Sequence, residues 1–132
     1  MSDLAFSQAY EHRAYDPPMP VLDIGVSRPG VNVPSATVEA VVDTGADGSL
    51  LPLDVLEQAG AVFVDRAYLR GITGQRQAVD LYLTTLHIGR FRIPGIRAAA
   101  LPPGSTAILG RDVLNQLDIT LRGPAGVTEI SV

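Results

Sequence analysis

A single aspartate at the end of an apolar run constrains this chain of 132 residues more than any other feature. Residues 36–42 end in two valines and read as a β-strand. Asp43 follows at once and opens the run Asp43-Thr44-Gly45-Ala46. A buried, ionised carboxylate is costly unless it is hydrogen-bonded or paired, and otherwise it becomes protonated. The pattern therefore predicts a strand that ends directly before a tight turn, with a carboxyl group at the first position of that turn.

This turn carries the residue types that an acid–base site needs. Two carboxyl groups held within hydrogen-bonding distance share one proton, and such a pair can activate a water molecule against a peptide carbonyl. The Thr44 hydroxyl can bond to a partner loop, and Gly45 allows the tight turn and brings its N–H close to the carboxylate. The simpler reading is an aspartate that caps a strand end. A calcium loop is excluded because Gly45 and Asp54 stand where two of the ligands would be required.

Turn-forming residues divide the rest of the chain into short elements. With 13 Gly and 10 Pro, the composition favours many short strands over long helices. One short helix is predicted over Leu53–Ala59, with Pro52 at its first helical position and Gly60 as its stop. A second helix of one or two turns is predicted after Gly110, through Asn115. The predicted strands cover residues 21–27, 36–42, 68–70, 79–83, 91–101, 107–109, 118–122 and 127–132.

Length and composition predict one globular domain. A chain of this size fits a single domain, and 46% hydrophobic with 18% charged residues is neither disordered nor membrane-like. Residues 1–19 are polar and rich in proline at their end, so we interpret them as an arm. Residues 20–132 form the predicted domain.

The charge pattern and the absence of cysteine disfavour several classes of function. The net charge is −4 and no basic run exists, which argues against binding to nucleic acid or an anionic membrane. A chain without cysteine has no disulfide, no thiolate chemistry and no Cys-ligated zinc. No apolar stretch resembles a signal peptide or approaches the roughly 20 apolar residues of a membrane span. We therefore expect a soluble, cytoplasmic protein.

Two motifs together resemble the retropepsin-like aspartic proteases. Residues 43–46, Asp-Thr-Gly-Ala, are similar to the signature of that family. Residues 107–115, Ala-Ile-Leu-Gly-Arg-Asp-Val-Leu-Asn, are similar to the apolar-apolar-Gly-Arg element before its C-terminal helix. The order also matches, with a glycine-flanked hairpin between the two motifs, and the resemblance covers roughly residues 20–122. It implies a mostly β, single-domain closed barrel or sandwich with a flap hairpin and one or two short helices.

The resemblance also implies roles for individual residues, and no metal or organic cofactor. Asp47 matches a position that bonds substrate backbone in the family, although it could simply pair with Arg111. Gly48 departs from the retroviral pattern, in which a second acidic residue is frequent. The implied catalytic residues are Asp43, Thr44 and Gly45, the implied substrate-binding residues are Ala46, Asp47, Gly71, Ile72, Thr73 and Gly74, and the implied structural supports are Gly110 and Arg111.

One Asp-Thr-Gly run supplies only half of a carboxyl pair. The nearest second candidate, Asp23-Ile24-Gly25, lacks the hydroxyl and the small residue that follows it. The sequence therefore predicts a homodimer with its site on the two-fold axis. Residues 127–132 are a candidate interface strand or an ordinary edge strand, and the N-terminal arm could pair there or be disordered.

The predicted function is an aspartic endopeptidase acting on an extended peptide or protein substrate beneath the hairpins. In this mechanism one Asp43 takes a proton from water while the other donates one to the carbonyl oxygen. The alternative is a non-catalytic dimeric module that docks a peptide or partner protein without cutting it. The intact Asp43-Thr44-Gly45 run argues against this alternative, because docking alone places no demand on the carboxylate.

Overall fold

The computed structural model describes residues 4–71 and 73–131, which are mainly β-strands. The strands are β1 (Leu4–Ala9), β2 (Val21–Ser27), β3 (Ala36–Val42), β4 (Leu50–Pro52), β5 (Val62–Arg70), β6 (Arg76–Ile88), β7 (Phe91–Leu101), β8 (Ala107–Leu109), β9 (Asp118–Arg122) and β10 (Val127–Ser131). The helices are α1 (Leu53–Ala59) and α2 (Arg111–Leu114).

Six of the described strands close into a barrel. Their order is β2-β3-β8-β4-β7-β6, and β2 also pairs with β6 to complete the ring. Strand β6 is 13 residues long, so its first part can pair with β5 while its second part pairs with both β7 and β2. The predicted mostly β, closed-barrel architecture with two short helices is confirmed.

The parallel pair of β3 and β8 positions the motif residues. Val42 lies opposite Leu109 in this pair, and the Asp43 N–H donates to the Leu109 carbonyl at 3.0 Å. The carboxyl ends of parallel strands lie at the same edge of a sheet. The two motifs, 65 residues apart by the positions of Asp43 and Ile108, therefore leave the barrel side by side.

Aliphatic side chains fill the barrel. Each buried leucine or isoleucine contributes roughly 1.5–3 kcal/mol relative to an exposed one. Helix α1 packs Leu56 and Ala59 into this core and ends at Gly60, whose φ of 78° is left-handed. Pro52 lies at the N-cap of α1, one position before its predicted place. The largest fully buried aliphatic residues include Leu22, Ile24, Leu51, Leu56, Leu86, Ile88, Leu109 and Ile130.

A smaller sheet lies beside the barrel in the order β1-β10-β9. Its first strand comes from the segment interpreted as an arm, because Leu4–Ala9 pair antiparallel with β10. Both edges of β10 are thus occupied within one chain. The alternative that residues 127–132 form an edge strand is wrong for 127–131, which form a central strand, and Val132 lies outside the described residues. A role for this strand in an interface stays a prediction.

Across the described part of the chain, no helix combines the length and apolar character required to cross a membrane.

Candidate active site

The turn after β3 holds the Asp43 carboxyl group. Asp43 is partly exposed, and the Gly45 N–H donates to its Oδ1 at 2.9 Å. The Ala46 N–H donates to the Asp43 carbonyl at 3.2 Å and closes the turn. A Cβ on residue 45 would lie 3.1 Å from Asp43 Oδ1, which is a tight contact. The prediction that Gly45 brings its N–H to the carboxylate is confirmed.

Arg111 ties this turn to the second motif. Its backbone N–H donates to the Ala46 carbonyl at 2.9 Å, and its side-chain Nη1 donates to the Thr44 carbonyl at 2.6 Å. Its Nη2 forms an ion pair with Asp47 Oδ1, so the pairing weighed from the sequence is present. The Asp47 side chain is nevertheless 94% exposed. Arg111 therefore fixes the backbone of the turn while Asp47 stays accessible to solvent.

Gly110 allows the two motifs to approach this closely. A Cβ at this position would lie 2.6 Å from both the backbone carbon and the oxygen of Gly48, and 2.9 Å from the Ala46 oxygen. Real Cβ atoms do not approach backbone atoms so closely. Any larger residue at position 110 would push the turn away from the start of α2.

Ser49 and Asp112 form a second connection, which the sequence reasoning missed. The Ser49 hydroxyl donates to Asp112 Oδ1 at 2.8 Å and accepts from the Gly110 N–H at 3.1 Å. The Ser49 N–H donates to Asp112 Oδ2 at 3.1 Å. Ser49 is buried, so these bonds satisfy polar groups that water does not reach. The sequence feature that could have pointed to this connection is Asp112, a carboxyl group that directly follows the predicted support residue Arg111.

The hairpin predicted around the glycine-flanked tip is formed by β5 and β6. Arg70 lies opposite Arg76 at its end, and the Gly71 N–H donates to the Gln75 carbonyl at 2.8 Å. Gly74 has a φ of 82°, which favours glycine there. Gly71, Thr73 and Gly74 are exposed at the tip, whereas Ile72 lies outside the described residues.

A cleft of about 410 Å³ lies between this hairpin and the end of β7. Along β5, half-buried Ala67 and Leu69 alternate with exposed Tyr68 and Arg70, so the less exposed face of this part of β5 is apolar. Leu69 lines the cleft. Tyr68 lies on the outer face, where the Arg76 guanidinium stacks 4.8 Å from its ring centroid. Other residues that line the cleft are Gln77, Val79, Leu101 and Pro102.

Comparison with known protein families identifies this arrangement. The family model described as "gag-polyprotein putative aspartyl protease" matches residues 30–116, which is more than half of the chain. The chain belongs to this aspartyl protease family. A comparison with curated protein sequences found no match.

Solved structures with the same fold agree with this assignment. A retropepsin-like aspartic protease from Rickettsia conorii has a TM-score of 0.62 at 14% identity, covering 99% of this chain and 94% of that one. The EIAV protease complexed with the inhibitor HBY-793 has a TM-score of 0.54 at 20% identity, covering 74% of this chain and 86% of that one. At these identities the likeness establishes the fold, which is retropepsin-like.

Within this aspartyl protease fold, the predicted site residues form two groups. Hydrogen bonds join Asp43, Gly45, Ala46 and Arg111 into one unit, with Gly110 packed against it. The hairpin tip belongs to a separate unit, and no hydrogen bond among the described residues connects it to the turn. The residues predicted to bind substrate are therefore divided between the fixed loop and the hairpin tip.

The second carboxyl candidate of the sequence does not lie in a comparable turn. Asp23 lies within β2 opposite Glu39, and its N–H donates to the Gln8 side chain at 2.6 Å. Gly25 packs under Pro34, whose Cβ would be 2.6 Å from a Cβ at position 25. Among the described residues of this aspartyl protease chain, the Asp43 turn thus has no counterpart built from this segment.

Proposed function

We propose that this protein is an aspartic endopeptidase that acts as a homodimer, with Asp43 from each of two chains forming the carboxyl pair. The observation that carries the proposal is the Asp43 carboxyl group, held by the Gly45 N–H at the edge of the barrel in a turn fixed by Arg111. The family assignment and the retropepsin-like fold support it. Since one chain contributes one such turn, the pair needs a second copy.

The proposed chemistry needs both carboxyl groups in different protonation states. One Asp43 carboxylate takes a proton from a water molecule, and the oxygen of that water attacks the peptide carbonyl carbon. The second Asp43, protonated, donates to the carbonyl oxygen, so the two groups exchange roles through one shared proton. The Gly45 N–H holds one oxygen of each carboxyl group in place, which lowers the cost of orienting it.

We propose that an extended peptide lies between the Asp43 turns and the hairpin tips. Asp47 is exposed beside the turn and is suited to accept hydrogen bonds from substrate N–H groups. Ala46 would contact the same peptide from the turn. The remaining proposed contacts are at the hairpin tip, with Gly71, Thr73 and Gly74 described and Ile72 outside the described residues.

The test compares wild type with Asp43→Asn on a diverse peptide library across about pH 3 to 8. Asparagine keeps the shape of the side chain but cannot exchange a proton, so we expect cleavage to fall by about a thousandfold or more. Asp54→Asn is the matched control, because Asp54 is an exposed aspartate in the first turn of α1. It should keep wild-type cleavage.

Three outcomes separate the hypotheses. Loss of cleavage in Asp43→Asn, with an unchanged melting temperature, supports the endopeptidase. Equal cleavage by wild type and Asp43→Asn would defeat it. Peptide binding by both proteins without cleavage by either would instead support the non-catalytic module.

A further inference from the structure

The small sheet has an edge that is free within the described chain. Strand β9 pairs with β10 on one side, and its other side faces no described strand. An edge strand presents unpaired N–H and C=O groups, which can pair with a strand of another molecule. The edge is short, covering Asp118–Arg122.

The two faces of β9 differ in chemistry. Ile119 and Leu121 lie opposite the buried residues Ile130 and Thr128 of β10, so they face the core side of the sheet. Leu121 is nevertheless 47% exposed, which leaves apolar surface uncovered beside the free edge. The other face carries Asp118, Thr120 and Arg122, all of them exposed.

The sequence of β9 is complementary to itself under a two-fold axis. In an antiparallel pair of two copies centred on Thr120, Asp118 lies opposite Arg122 of the second copy, and Arg122 lies opposite its Asp118. On the core face, Ile119 lies opposite Leu121 of the second copy and covers its exposed surface. Opposite charges and apolar residues directly across two strands stabilise the pairing.

We propose that β9 pairs antiparallel with β9 of a second copy, and that Asp118 and Arg122 select this register through two symmetric ion pairs. The inference rests on the proposed homodimeric protease, whose site is incomplete in one chain. The resulting sheet runs continuously through both copies in the order β1-β10-β9-β9-β10-β1. A two-fold axis makes each contact occur twice.

The other free edges are less suited to this role. Strand β5 exposes Val62 and Phe63, but a bulge between Phe63 and Asp65 interrupts its regular register, and such irregularities disfavour edge pairing. Strand β1 lies against the barrel, where its Gln8 side chain accepts a hydrogen bond from the Asp23 N–H. Neither strand offers the charge complementarity of β9.

Strand β9 is also closely connected to the Asp43 turn. Arg111, which bonds to the carbonyls of Thr44 and Ala46, begins α2, and β9 begins at Asp118, only seven positions later. Joining the β9 strands of two copies therefore brings both Asp43 turns to the same side of the dimer through a short, folded link.

Charge reversal tests the register. In Asp118→Arg, both cross-chain pairs become Arg opposite Arg, and in Arg122→Asp both become Asp opposite Asp. We expect each variant alone to dimerise at least about tenfold more weakly than wild type in sedimentation at low salt. An equal mixture of the two variants restores opposite charges at both pairs, so it should recover dimer and peptide cleavage together.

A further variant distinguishes loss of the interface from misfolding. Arg122 Nη1 lies 3.5 Å from Glu129 Oε1 of its own chain, so Arg122→Asp places two carboxylates close together and could destabilise the fold. Thr120→Lys avoids this problem, because Thr120 lies opposite Glu129 within the sheet. It places two lysines together at the two-fold axis, and we expect a folded monomer with a wild-type circular dichroism spectrum.

Each outcome has a defined reading. Three results would each overturn the β9 interface. In the first, the single variants and Thr120→Lys all dimerise like wild type. In the second, the mixture stays monomeric, and in the third, wild type is itself monomeric under all conditions. Recovery of dimer in the mixture, with no cleavage by the mixture or by wild type, would support the interface and reject the protease. Recovery of dimer together with peptide cleavage would support both the β9 interface and the protease.

Discussion

At the scale of single residues, the tightest packing in the site is around Gly110. This residue, Ser49 and Arg111 hold the Asp43 turn against the start of α2 through backbone contacts and hydrogen bonds. The sequence predicted Gly110 and Arg111 as supports from their motif. It did not predict Ser49, because a serine 63 positions from Asp112 carries no local pattern that indicates the bond between them.

The Gly110→Ala substitution should destabilise the protein by about 1–3 kcal/mol, since its Cβ would overlap Gly48 and backbone rearrangement has a cost of that order. The measurement is urea unfolding at neutral pH. Gly48→Ala is the matched control in the same loop, because its Cβ would be 4.0 Å from its nearest neighbour, Asp112 Oδ2. Equal destabilisation by both substitutions would show that the contact at position 110 is not the cause.

At the scale of elements, the seam between β2 and β6 closes the barrel and buries polar groups. Ser27 and Thr84 are buried there, and the Thr84 hydroxyl donates to the Ser27 carbonyl at 2.7 Å. The Ser27 hydroxyl also lies 2.9 Å from His87 Nε2. The β2 side of the seam lies in a predicted strand, but residues 84–87 lie beyond the predicted strand 79–83. The seam itself could not be predicted, because it joins residues 58 to 62 positions apart.

This seam should make stability depend on pH. Burial, with a smaller contribution from the charge of Arg92, lowers the pKa of His87 from its usual 6.5. Above pH 6.5 the imidazole is neutral in both states, and no stability is lost. As the pH falls below 6.5, the unfolded chain binds the proton more readily than the folded one. The free energy of unfolding should therefore decrease until the pH reaches the lowered pKa of the folded state.

Urea unfolding between about pH 5 and 8 measures this dependence. His87→Gln should reduce the loss of stability on the acid side, because glutamine does not titrate. The same acid dependence in wild type and His87→Gln would assign the effect to other groups.

At the scale of the whole molecule, the sequence predicted a closed β-architecture in which a hairpin lies between the motifs at residues 43–46 and 107–115. Most predicted strand bounds match because aliphatic runs separated by glycine and proline are strong local signals. Strand β1 was missed, since Leu4–Ala9 contain polar residues and pair with β10, more than 100 positions away. Strand β4 is only three residues long, too short for any periodic pattern.

The shared carboxyl pair makes a further prediction about mixtures. When a fixed amount of wild type exchanges with a roughly ninefold excess of Asp43→Asn, random pairing leaves about one tenth of the wild-type chains with a wild-type partner. Because a dimer with one Asp43 lacks the acid–base partner, cleavage should fall to about one tenth of its starting value. The measurement is the initial rate of peptide cleavage at constant wild-type concentration after equilibration.

The control for this mixture combines Asp43→Asn with both Asp118→Arg and Arg122→Asp. That variant keeps opposite charges in its own homodimer on the proposed β9 interface, but with wild type it places Arg opposite Arg and Asp opposite Asp. At the same excess it should therefore inhibit less than Asp43→Asn. Thr120→Lys does not serve here, because its two lysines meet only in its own homodimer and it would remain free to pair with wild type. A wild-type rate that stays constant with Asp43→Asn at every ratio would mean that one chain cleaves peptide alone, because only a shared site responds to the partner's carboxyl group.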